Sequence, residues 1–95
     1  MDVTVRVPSA LRELVGGRAE VVVTAGGQSA TVSEVLDVLA RTEPALERRI
    51  RDERGTPRVH VNIFVGSDNV RDLEGLTTTL QPGQEISILP AISGG

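Results

Sequence analysis

The sequence contains no cysteine and no lysine, and it has a single histidine, His60, and a single aromatic residue, Phe64. Without cysteine the chain cannot form a disulfide, bind a metal through thiolates, carry a persulfide or use a thiol as a nucleophile. Without lysine it cannot form a lysine Schiff base or be conjugated through its own lysines. All ten basic residues are arginine. One imidazole leaves histidine-based triads and multi-histidine metal sites almost nothing to work with. No apolar run approaches membrane-spanning length. The formal charge of −3 gives no general attraction for nucleic acid or anionic lipid. Neither nucleic acid nor membrane is therefore an expected partner, and a charged protein partner is expected to present basic surface. The opening Met1-Asp2-Val3-Thr4-Val5-Arg6 lacks the basic stretch and apolar core of an export signal, so a cytoplasmic location is expected.

What is present is strongly patterned, over 95 residues that suit one domain. Val3, Val5 and Val7 alternate with polar residues, the period-two signature of a half-buried strand, and Pro8 ends it. Val21-Val22-Val23-Thr24 reads as a second strand, joined to the first as a hairpin through a loose connection over Leu11 to Val15. Gly26-Gly27 closes that strand. Thr31-Val32-Ser33-Glu34 has the form of a capping box, so a helix is predicted to start there. Val32, Val35, Leu36 and Leu39 fall on one face of that helix, with Glu34, Asp37 and Arg41 elsewhere on the cylinder. Pro44 ends or restarts it, and Ala45 to Ile50 suggests a further short turn.

Arg58 to Val65 is the strongest strand signal, with Val59, Val61, Ile63 and Val65 on one parity and His60, Asn62 and Phe64 on the other. Gly66 to Asn69 reads as a turn, followed by a short element near Val70 and a helical or irregular piece around Leu73 to Leu80. Gln81-Pro82-Gly83-Gln84 places Pro and Gly where a type II turn takes them. In the last strand Ile86 and Ile88 share a buried parity, Leu89 points the other way, and pairing is predicted to fade at Pro90. The order strand, strand, helix, strand, short strand, strand is that of an α+β β-grasp, a mixed sheet packed on one main helix. The predicted organisation is a domain over residues 1–90 and a flexible tail over 91–95, Ala91-Ile92-Ser93-Gly94-Gly95.

Two glycines would end a chain by chance in about 0.5% of cases at average usage. Together with the β-grasp pattern they gain meaning. The opening strand with Leu11-Arg12-Glu13-Leu14, the Val65-to-Val70 hairpin region, Pro82-Gly83, and the ending Leu89-Pro90-Ala91-Ile92-Ser93-Gly94-Gly95 resemble the MoaD/ThiS sulfur-carrier family, relatives of ubiquitin, along essentially the whole chain. Val61-Asn62-Ile63-Phe64-Val65, the loop Arg71 to Gly75 and Ile88-Leu89-Pro90-Ala91 look most like its CysO-type branch. Gly66 departs from the Asn found in many relatives.

The resemblance implies that first and last strands are parallel neighbours at the centre of the sheet. It also implies a function without a catalytic residue of the chain's own. The carboxylate of Gly95 would be adenylated by an E1-like, MoeB-like enzyme using ATP, then converted to a thiocarboxylate and used by a sulfur-accepting synthase. ATP would serve the partner, and the chain would hold no cofactor or metal. The receiving synthase could make cysteine, molybdopterin, thiazole or another sulfur metabolite. The CysO-type likeness implies a cysteine synthase acting on an activated serine, followed by a JAMM-type metalloprotease that frees the cysteine. Gly94 would give clearance inside a narrow channel, and Ser93, Ile92, Leu89 and Phe64 would contact partners.

Each residue has a plainer reading. Leu89 could pack beneath a loop, and Phe64 reads first as core. Arg48, Arg49, Arg51, Arg54 and Arg58 lie among Glu47, Asp52 and Glu53 and read as a solvated, self-paired surface. His60 reads as structural or surface. Two rival functions use the same fold: a protein modifier that transfers Gly95 to a target lysine, and an interaction domain that does not react.

Overall fold

The computed structural model describes residues 1–90. The predicted tail, with Ile92, Ser93, Gly94 and Gly95, lies outside the described residues.

Strands β1 (Asp2–Arg6) and β2 (Glu20–Thr24) form the antiparallel N-terminal hairpin, with Val3 opposite Val23 and Val5 opposite Val21. Burial alternates along both, as the period-two pattern requires. Their connection is more ordered than the loose link predicted. Ser9–Val15 is a 3-10 helix whose Leu11 and Val15 are buried beneath it.

A two-residue strand, β3 (Ala30–Thr31), leads into helix α1 (Val32–Thr42). The capping box is present: Thr31 Oγ1 accepts the Glu34 N–H at 3.1 Å, and the Glu34 carboxylate accepts the Thr31 N–H at 3.1 Å. A cap of this kind contributes about 1 kcal/mol. Val32, Val35, Leu36 and Leu39 are all completely buried. Pro44 restarts the chain as α2 (Pro44–Ile50), in the first turn, where its missing N–H is no loss. This helix buries Leu46 and Ile50.

The remaining strands are β4 (Val61–Val65), β5 (Asp68–Asn69), β6 (Thr79–Leu80) and β7 (Glu85–Pro90). The main sheet runs β2-β1-β7-β4-β5, and β3 pairs with β6 in a small second sheet. β7 is parallel to β1, with Ile86 opposite Val5, and antiparallel to β4, with Ile88 opposite Ile63. First and last strands are thus the parallel neighbours that the resemblance implied, and β7 is the central strand. Val3, Val5, Ile63, Val65, Ile86 and Ile88 pack toward the helices in one core. Each such aliphatic side chain contributes roughly 1.5–3 kcal/mol by leaving water.

Two turns explain particular residues. Gln84 N–H reaches the Gln81 carbonyl at 3.1 Å, and Gly83 has φ +90°, the sign that position i+2 of a type II turn needs. Gly66 opens the two-residue link between the paired Val65 and Asp68 with φ +60°. Glycine meets that left-handed demand with no Cβ to clash.

The structure corrects three expectations. The strand predicted from Arg58 begins only at Val61, because Arg58 N–H is bonded to the Ile50 carbonyl and Val61 N–H closes a turn on the Arg58 carbonyl. Val59 is consequently off the sheet and 79% exposed. Phe64 is half-buried on the outer side of the sheet and takes no part in the core. Arg51 is buried rather than solvated, bonded to Glu47 and, at 3.0 Å, to Asp37. Burial opposes its charge, but the two carboxylates outweigh it and raise its pKa above the usual arginine value. Pairing reaches Pro90, the residue at which the sequence predicts it to fade, opposite Val61.

Candidate functional site

β7 carries the chain's last described residues out of the middle of the sheet, paired with β1 over residues 85–87 and with β4 as far as Pro90. Its inward residues Ile86 and Ile88 anchor it, so Leu89 and Pro90 leave from a fixed point. The register sets Leu89 opposite Asn62, and Phe64 opposite Ser87. Leu89 and Phe64 are therefore diagonal neighbours on the outer face, within reach of each other's side chains.

Leu89 is 47% exposed. Phe64 is half-buried beside it, next to the pair in which Asn69 Nδ2 donates to Asn62 Oδ1 at 3.3 Å. Val22 of β2, 62% exposed, lies on the same outer face, opposite Thr4. Sequence reasoning singled out Leu89 and Phe64 and passed over Val22. The signal for it was there, since Val22 has the parity opposite to the buried Val21 and Val23.

The polar part of this face holds a cross-strand ion pair. Arg6 Nε meets Glu85 at 3.0 Å, and that hydrogen bond, with Glu85's charge, raises the arginine's pKa. Both partners are about half exposed, so the pair adds little stability. Among the described residues no group of three or more His, Cys, Asp or Glu side chains could hold a metal ion, and no helix is long and apolar enough to cross a membrane.

A β-grasp whose central strand ends beside an apolar pair, the exposed Leu89 and the half-buried Phe64, is a ubiquitin-like architecture. The chain belongs to the ThiS family, whose model matches residues 5–95. It is 35% identical over 97 residues to the sulfur carrier protein CysO of Mycobacterium tuberculosis, with 100% of both chains covered. It is 30% identical over 95 residues to small archaeal modifier protein 3 of Haloferax volcanii, again with 100% of both covered. Among solved structures, the BexX/CysO complex of Amycolatopsis orientalis contains a chain that superposes with a TM-score of 0.82 at 33% identity, covering 98% of this chain and 99% of that one.

Proposed function

We infer that this protein is a sulfur carrier of the CysO type, a co-substrate rather than a catalyst. What carries the reading is the end-to-end likeness to a protein named as a sulfur carrier, which runs through Gly94-Gly95, on a fold whose central strand leads to that end. A chain without any thiol has no side chain on which to hold sulfur, and its terminal carboxyl carbon remains. In the first step an oxygen of the Gly95 carboxylate attacks the α-phosphorus of ATP within an E1-like partner, and pyrophosphate leaves. A sulfur nucleophile then attacks the activated carbonyl, and AMP departs with the bonding electron pair. The product is a thiocarboxylate that a synthase consumes as a sulfide donor. A JAMM-type protease would restore the carboxylate if the sulfur is passed on as a peptide-linked cysteine. The cytoplasm, where ATP is available, suits this cycle.

The experiment is mass spectrometry of the intact chain after incubation with the adenylating enzyme, ATP and sulfide. Replacement of one oxygen by sulfur is the expected result. A protein-sized adduct would instead favour the modifier reading, which the likeness to the Haloferax modifier protein keeps in view. An unchanged mass with no pyrophosphate released would overturn both.

Leu89 is the described residue best placed to contact the activating enzyme, one position before the strand ends. Leu89→Asp is expected to lower kcat/KM for adenylation about tenfold, as loss of an apolar contact in an interface does. Since Leu89 is outside the core, stability should change by no more than about 1 kcal/mol. Pyrophosphate release measured across carrier concentrations would check this, and unaltered kinetics would remove Leu89 from the interface.

A further inference from the structure

At the end of β7 lies an open groove of about 910 Å³, between the Ser9–Val15 helix, the end of α2 and the segment leading into β4. Val61, opposite Pro90 in the register, forms part of its wall, so the groove starts where the central strand stops. Arg48 and Arg49 enter it from α2, and Arg58 and His60 from the opposite wall, with the exposed Val59 between those two. Arg58 Nε donates to the Arg48 carbonyl at 2.7 Å, which ties the two walls together.

The charges in this groove are unbalanced. Among the described residues, Arg6, Arg18 and Arg51 pair with carboxylates, whereas Arg48, Arg49 and Arg58 have none within 4.0 Å. The one carboxylate in the lining, Asp52, is occupied by its own loop. Its Oδ1 accepts the Thr56 N–H at 3.1 Å and the Arg54 N–H at 2.9 Å, and these bonds hold its pKa below the usual carboxylate range. A chain of formal charge −3 thus places three arginines against one carboxylate in this groove.

We propose that this groove receives an acidic segment of the adenylating partner, which grips the carrier beside the root of its C-terminal residues. The inference rests on the carrier reading. Five residues separate Pro90 from the end of the sequence, and five residues span at most about 18 Å. Any enzyme that acts on Gly95 must therefore approach the surface around Pro90, and the groove adjoins that surface through Val61, the register partner of Pro90. Arginine forks match carboxylates in geometry. Complementary charge there would speed encounter and set the orientation in which the chain end enters the active site. The partner surface at this point is acidic, opposite to what the net charge alone suggests.

The test compares the full chain with Arg48→Gln/Arg49→Gln/Arg58→Gln in ATP-dependent pyrophosphate release by the MoeB-like adenylating enzyme. The triple variant is expected to raise KM for the carrier about tenfold with kcat held within about twofold, and to flatten the dependence of KM on salt. Because Arg58 braces Arg48, the double variant Arg48→Gln/Arg49→Gln keeps that bond, and it is expected to melt like the parent and raise KM about threefold. Arg41→Gln, on the exposed side of α1 and outside the groove, is expected to change nothing. Equal KM for parent and variants at low salt would overturn the groove while leaving the carrier reading intact. A rise in KM for Arg41→Gln equal to that of the double variant would overturn it too, as a mere effect of net charge. No pyrophosphate release with the parent chain would overturn both.

Discussion

Deletion of Gly95 is expected to reduce thiocarboxylate formation at least about 100-fold while leaving the melting temperature where it was. The shortened chain still ends in glycine and still carries a carboxylate, so neither chemistry nor bulk is lost. What changes is position. Removing one residue withdraws the acyl carbon by up to about 3.6 Å, and misplacement of a reacting atom by about 1 Å already costs about 100-fold. The anchor is held in place, because β7 is pinned by Ile86 and Ile88 in the core and stays paired with β4 as far as Pro90. Stability is expected to be untouched because among the described residues the core's last member in sequence is Ile88, and Gly95 has no side chain to add to it. The measurement is intact mass after incubation with the adenylating enzyme, ATP and sulfide, beside a thermal melt of the same sample. Loading of the shortened chain at the parent rate would sink the assignment of Gly95 as the acceptor.

Local pattern made much of this molecule legible. The capping box at Thr31 and Glu34, the apolar stripe Val32-Val35-Leu36-Leu39 and the Pro82-Gly83 turn each depend on residues within a few positions of one another, and all three are present. Strand parity was equally readable, including the outward direction of Leu89. The failures share a cause in long-range contact. Val59 matched the parity of its strand, yet the Ile50 carbonyl captures the Arg58 N–H and holds that segment off the sheet. Phe64 had the outward parity, but aromatic bulk argued for the core, and only the register across from Ser87 settles which consideration wins. Arg51 is buried because Asp37, on the preceding helix, completes its pairing. The basic groove joins α2 to the segment before β4, and no window along the sequence contains both with their geometry. Gly94 and Gly95 were proposed as a site from their position and the family resemblance, never from a pattern of their own, and they lie outside the described residues.

Ile86→Ala is expected to produce the other large effect, by the opposite route. Ile86 is completely buried in the central strand, flanked by Val5 on β1 and Val65 on β4. Truncation removes hydrocarbon worth about 0.8 kcal/mol per methylene and leaves a cavity that paired strands on both sides cannot close, so the cost should fall in the range of about 2–5 kcal/mol. A domain of this length has only about 5–14 kcal/mol in total, and the urea midpoint should drop steeply with the slope of the transition unchanged. Adenylation per folded molecule should stay near the parent value, because the variant leaves Leu89, the groove arginines and the chain end in place. Deleting Gly95 thus removes reaction without unfolding, and Ile86→Ala removes stability without altering the reacting group. A midpoint shift equivalent to less than about 1 kcal/mol would mean that the core around β7 can collapse into the space. The strand would then be a less rigid anchor, and the sharp dependence of loading on chain length expected for Gly95 would weaken with it.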